Sequence, residues 1–215
     1  MPEAEGVIKY QLDYEKGPAV DPSLIAEINA WRRILFLLQL IGQDASRYGG
    51  YGYGNVSCRE KPGSEAFIIS GTQTAHLPEL HANHYVRVTE CDATKNRIVA
   101  SGPVKPSSEA LTHGAIYHTA KSVNVVLHIH CPQIWTQAAA LQIASTASHI
   151  SYGTPAMAEE MALLLQGEDI NQKGIFSMGG HQDGVITFGA SAEQAGTILV
   201  NYFSRALQLE TTRST

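Results

Sequence analysis

The segment Val125-Val126-Leu127-His128-Ile129-His130 is an apolar run of strand type that ends in His-x-His. Alternate residues of a strand share a face, so His128 and His130 point together while Ile129 points away. Neutral imidazole is the commonest side-chain ligand for zinc and its neighbours, and two at this spacing supply half of a tetrahedral site. The competing reading is a strand end with two half-exposed histidines. His181 lies in the turn Gly179-Gly180-His181-Gln182-Asp183-Gly184, where flanking glycines allow unusual backbone angles and a rigid placement against another element. It is the candidate third ligand, against the alternative of a turn histidine facing solvent. Three protein nitrogens leave a coordination position open, which distinguishes a catalytic zinc-type site from a closed structural one.

Glu109 is expected one turn inside a helix begun by Pro106-Ser107-Ser108, just upstream of the His-x-His strand. A helix-to-strand return would bring its carboxylate toward the metal as a general acid/base. The alternative is a carboxylate that only complements the helix N-terminus. The helix end favours its ionised form and a dry pocket the protonated one. Three small-residue segments offer donors for an anion: Asn55 in Tyr53-Gly54-Asn55-Val56-Ser57, Ser70 and Gly71 in Ser70-Gly71-Thr72, and Ser107 and Ser108 after Lys105-Pro106. Singly they read as ordinary turns and caps; together they describe a phosphate pocket, with Lys105 as the fixed positive charge. His113 follows Glu109 by one helical turn, as a partner behind the site or a plain i,i+4 neighbour. His76, His81, His84, His118 and His149 have no paired metal spacing, and Cys131 should face away from His130.

The elements that must carry these groups alternate in type. Asp21-Pro22 caps a first helix with Leu24, Ile25, Ile28, Leu35 and Leu38 at helical spacing, and further helices are expected over 107–120, 154–165 and 191–209. Strands are expected over 67–70, 85–89, 97–100, 123–130, 174–178 and 184–188, the last two forming an antiparallel pair across the glycine turn. The expected fold is therefore α/β: a three-layer α/β/α sandwich with a mixed, largely antiparallel sheet. Residues 1–20 show no clear periodicity and read as a tail, and residues 21–215 as one domain. The net charge of -5 with scattered Lys and Arg argues against a nucleic-acid partner. Cys58, Cys91 and Cys131 form an odd set without C-x-x-C spacing, which fits the cytoplasm. No apolar run is long enough for a membrane span.

In order along the chain, Gly54-Asn55-Val56-Ser57, Ser70-Gly71, Pro106-Ser107-Ser108-Glu109, His128-x-His130 and the glycine-flanked His181 resemble the motifs of the class II aldolase/adducin family, over roughly 24–207. That family includes fuculose-1-phosphate aldolase, ribulose-5-phosphate 4-epimerase and methylthioribulose-1-phosphate dehydratase. The resemblance implies a homotetrameric α/β/α enzyme with its sites at subunit interfaces. It implies a divalent metal, usually zinc with manganese, cobalt or iron as alternatives, held by His128, His130 and His181. Glu109 would be the acid/base, and Asn55, Ser70, Gly71, Ser107 and Ser108 would hold the phosphate of a small sugar phosphate or related keto-sugar. The implied reaction is retro-aldol cleavage through a metal-stabilised enediolate; dehydratases and epimerases use the same parts, and adducin head domains use the fold as an interaction module. Retention of all three histidines and Glu109 favours an enzyme. Two departures stand out. The segment 132–152 is shorter than the family region that carries a tyrosine proton donor, and Gln182-Asp183-Gly184 follows His181 where the family has His-Gly.

Overall fold

The computed structural model describes residues 6–213. Its helices begin at the capping residues. Asp21 accepts the Ser23 N–H ahead of α1 (Pro22–Leu37), and Thr154 accepts the Met157 N–H ahead of α4 (Pro155–Leu164), each with proline in the first turn. Ser191 Oγ accepts the Gln194 N–H at the start of α6 (Ala192–Arg213), while the Gln194 side chain reaches back to the Ala190 N–H. Helix α2 (Ala110–Thr119) starts later than expected. A bridge to Gly71 holds Pro106 extended, and the Ser107 hydroxyl accepts the Glu109 N–H. Glu109 is therefore the N-cap residue of α2 and not a residue one turn inside it. Two short helices, α3 (Pro132–Thr136) and α5 (Glu168–Lys173), were not expected.

One sheet of nine strands organises the chain. These are β1 (Gln11–Lys16), β4 (Asn55–Arg59), β5 (Phe67–Ser70), β6 (Tyr85–Asp92), β7 (Arg97–Gly102), β8 (Val125–His130), β9 (Ala144–Ser145), β10 (Ile175–Ser177) and β11 (Gly184–Gly189). Their order is β1-β7-β6-β5-β4-β8-β11-β10-β9, and β2 (Gly42–Gln43) pairs separately with β3 (Gly52–Tyr53). Only the outermost pairs, β1 with β7 and β9 with β10, are parallel. All inner neighbours are antiparallel, so the sheet is mixed and largely antiparallel, as expected.

Alternation along the central strand divides the core in two. Val125, Leu127 and Ile129 of β8 join Ile25, Ile28 and Leu35 of α1, Ile134 of α3 and Leu199 of α6. Val126 points the other way, into a second cluster with Leu111 and Ile116 of α2, Met157 and Met161 of α4 and Ile170 of α5. Helices thus cover both faces, and His128 and His130 share the α2/α4 face with Val126.

Two segments differ from the sequence expectation. Residues 11–16 are an edge strand rather than part of a tail: Leu12 pairs with Ile98 and Tyr14 with Ala100. Ile8, Tyr10, Leu12 and Tyr14 alternate and pack on the α2-side core, a period-two signal softened by the charged, outward-facing residues typical of an edge. Asn55–Arg59, expected as part of a turn, is a fully buried inner strand. Its polar residues hid it. Ser57 bonds to His113 and Tyr117, and Arg59 donates to the carbonyls of Val123 and Tyr117.

Candidate active site

The end of β8 and the β10–β11 turn bring three imidazoles together. Gly184 stands opposite His130 in the β8–β11 register, which sets the turn carrying His181 over the His-x-His pair. Ring centroids are 5.1 Å apart for His128 and His130, 5.1 Å for His128 and His181, and 4.7 Å for His130 and His181. One ligand nitrogen from each falls within 4.8 Å of the other two, and all three residues are buried. The glycines of this turn act through space rather than through unusual angles. A Cβ on Gly179 would sit 2.3 Å from the Thr146 carbonyl oxygen, and one on Gly180 2.1 Å from that of Ile150. The left-handed residue is Asp183, at φ +61°.

Glu109 meets this cluster from the N-terminus of α2. Its Oε1 lies 3.0 Å from His128 Nε2 and 3.3 Å from His181 Nδ1, and the carboxylate is 1% exposed. Burial alone would raise its pKa, but the neighbouring His128 and His181, with His113 further off, outweigh it and bring the carboxyl down to about 2. The ionised form therefore wins. Burial holds His130 well below the ordinary histidine range and takes His113 down to about 3. A neutral imidazole is the form that offers a lone pair to a metal.

A divalent cation fits these residues. Glu109 Oε2 and His128 Nδ1 are buried without a hydrogen-bond partner among the described residues. Such groups cost about 1–3 kcal/mol each in a core, and more when charged. Three nitrogens with an anionic oxygen at their edge are the donor set of an open zinc-type site.

The expected phosphate residues gather on the β4 side of His128. Asn55 stands opposite His128 in the β4–β8 register, and its Oδ1 is buried without a hydrogen-bond partner among the described residues. Ser70 Oγ accepts the Val56 N–H at 3.1 Å, and the Gly71–Pro106 bridge brings Ser107 and Ser108 alongside. Two main-chain donors are committed elsewhere: Gly71 N–H bonds to the His84 carbonyl and Thr72 N–H to that of Lys105. The side chains that the cluster can offer an anion are the Asn55 amide and the serine hydroxyls. Lys105 is exposed. Gly71 is needed for close approach, since a Cβ there would lie 2.4 Å from Val104 Cγ2.

A family model described as the class II aldolase and adducin N-terminal domain matches residues 44–209. The chain belongs to the class II aldolase and adducin family. Solved members share its fold. The L-fuculose-1-phosphate aldolase of Thermus thermophilus is 17% identical with a TM-score of 0.62, over 88% of this chain and 94% of that one. A sugar-phosphate aldolase of Thermotoga maritima is 16% identical at TM-score 0.67, over 89% and 95%. The N-terminal class II aldolase domain of a conserved Thermoplasma acidophilum protein is 16% identical at TM-score 0.60, over 90% and 96%. No curated protein matches the chain by sequence.

Several residues near the site were not anticipated. Tyr48 and Tyr53 stack on His130 at 4.5 and 5.4 Å between centroids, with Arg47 and Asp183 bonded to Tyr48. The repeated Tyr and Gly of residues 48–54 were the available signal. Tyr152, which the sequence left without a role, is buried with its ring 4.5 Å from that of His181. His113 is more than an i,i+4 neighbour: Ser57 Oγ bonds its Nδ1 at 2.6 Å.

Proposed function

We propose that this chain is a divalent-metal-dependent lyase that cleaves a carbon–carbon bond of a small sugar phosphate or related keto-sugar. The observation that carries the reading is the convergence of three buried imidazoles with a carboxylate 3.0 and 3.3 Å from two of them. His128, His130 and His181 would hold the ion, zinc or one of manganese, cobalt and iron. When bound, it supplies Lewis-acid polarisation of the substrate's hydroxyl and carbonyl oxygens.

In a retro-aldol cleavage the hydroxyl loses its proton as the aldehyde forms, and the carbon left behind gains one. Glu109 rests ionised, the form that accepts a proton: in the synthetic direction it would remove one from that carbon, and in cleavage, having taken up the proton that the hydroxyl releases, it would return it to the carbon. Asn55, Ser70, Ser107 and Ser108 would orient the phosphate by hydrogen bonds, with Gly71 shaping the wall. The family's homotetramer goes with this reading. Apolar side chains exposed on α1 and α6, including Ile34, Leu37 and Leu207, support an assembly, and three free thiols suit a cytoplasmic setting.

The test begins with elemental analysis of the purified protein against a His128→Ala/His130→Ala variant. A near-stoichiometric divalent metal lost in the variant supports the reading. A panel of phosphorylated and free keto-sugars then distinguishes cleavage from dehydration and epimerisation. Protein that takes up no metal after reconstitution would sink the proposal and favour an interaction module.

A further inference from the structure

His130 is the last residue of its strand and His181 lies inside a turn, whereas His128 lies within the ladder. Three side chains from two loops close on this pair. The Tyr48 ring stands edge-on to His130, with planes 74° apart. Its hydroxyl donates to Asp183 Oδ2 at 2.6 Å and accepts from Arg47 Nη2 at 2.6 Å. Arg47 Nη1 also donates to the Tyr53 hydroxyl at 3.2 Å.

Asp183 ties both ligand segments together. It lies two residues after His181, and its carbonyl accepts the N–H of Cys131, the residue after His130, at 2.8 Å. Tyr48 holds φ at +49°, which costs a bulky side chain about 1–3 kcal/mol and persists only where surrounding contacts over-determine the backbone. The contacts that do so here are those to Arg47, Asp183 and His130.

Resting on the metal-centre reading above, we infer that Arg47, Tyr48 and Asp183 are positioning residues of the metal centre. The Tyr48 ring sets the plane of His130, and its hydroxyl pins the turn that presents His181. Groups that orient metal ligands from behind typically contribute about 10- to 100-fold in metal affinity.

The experiment measures cobalt(II) binding to the full chain by competition with a chelator and by visible absorption, alongside urea unfolding of the metal-free protein. Tyr48→Phe keeps the ring and removes the hydroxyl; it and Asp183→Ala are each expected to weaken cobalt binding about 10- to 100-fold and to alter the absorption bands. The double variant should be no weaker than the worse single one, because both remove one contact. Asp183→Asn retains an acceptor oxygen and should recover most of the affinity. If Asp183→Ala does not fold, Asp183→Asn against Tyr48→Phe makes the same comparison. Variants that lose stability while matching wild-type affinity and spectrum would overturn the inference and leave the metal-centre reading standing. A wild type that binds no cobalt overturns both.

Discussion

The two faces of β8 are buried to the same degree and do different work. Val125, Leu127 and Ile129 face α1 and α6 in an apolar core, while His128 and His130, one residue out of phase, are equally buried, His128 against Glu109 and His130 against Tyr48 and His181. Burial on the first face stabilises the fold by removing carbon from water, at roughly 25 cal/mol per Å². Burial on the second leaves polar atoms such as Glu109 Oε2 unsatisfied, a cost that a bound cation would relieve. The candidate site is marked here by buried polar atoms such as Glu109 Oε2, not by exposure.

Exchanging what each face offers should separate the two. The largest effect is expected from His128→Ala/His130→Ala, with metal and turnover both lost while the fold persists; turnover retained without metal would erase the distinction. Next is Glu109→Gln, expected to keep the metal and lose about 10²- to 10⁴-fold in turnover. Near-wild-type rates would remove Glu109 from the acid/base role.

On the opposite face, Leu127→Ala should cost about 2–5 kcal/mol in urea unfolding and leave metal stoichiometry unchanged. Loss of metal in that variant would mean that the faces are not separable. The smallest effect concerns pH. In the unfolded chain a histidine titrates near 6.5, whereas folded His113 is held down to about 3, so the unfolded state binds more protons between these values. Stability of the metal-free protein should therefore be full above about pH 6.5 and fall as pH drops toward 3. The depressed carboxyl of Glu109 adds to the loss below about pH 4.3, where unfolded carboxylates protonate and the folded one, at about 2, does not. His113→Gln should lower the slope of the upper part of the urea-midpoint profile, leaving the share of buried His130, and a flat wild-type profile would contradict the assigned burial cost.

Local chemistry made much of this visible beforehand. Asp21-Pro22 announced the first helix because a cap acts on its own backbone, the helices expected over 154–165 and 191–209 likewise start behind the caps Thr154 and Ser191, and the period of two in β8 put His128 and His130 on one face. Elements whose polar residues answer to distant partners were not legible. Asn55–Arg59 is an inner strand only because Ser57 meets His113 and Tyr117 and Arg59 meets Val123, and residues 11–16 become a strand only beside β7.

The candidate ligands and the candidate acid/base were readable as residue types, and their order along the chain carried the family. Their meeting was not readable, because His181 and Glu109 reach His128 through strand register and a helix end that sequence spacing does not encode. Sequence determined which groups could bind a cation and which faces they occupied, since caps and side-chain alternation are set within a few residues. Only the tertiary structure decided that Glu109 meets His128 and His181, that Gly179 and Gly180 serve close packing, and that Tyr48 bonds Asp183 across two loops, because each depends on atoms brought together from far along the chain.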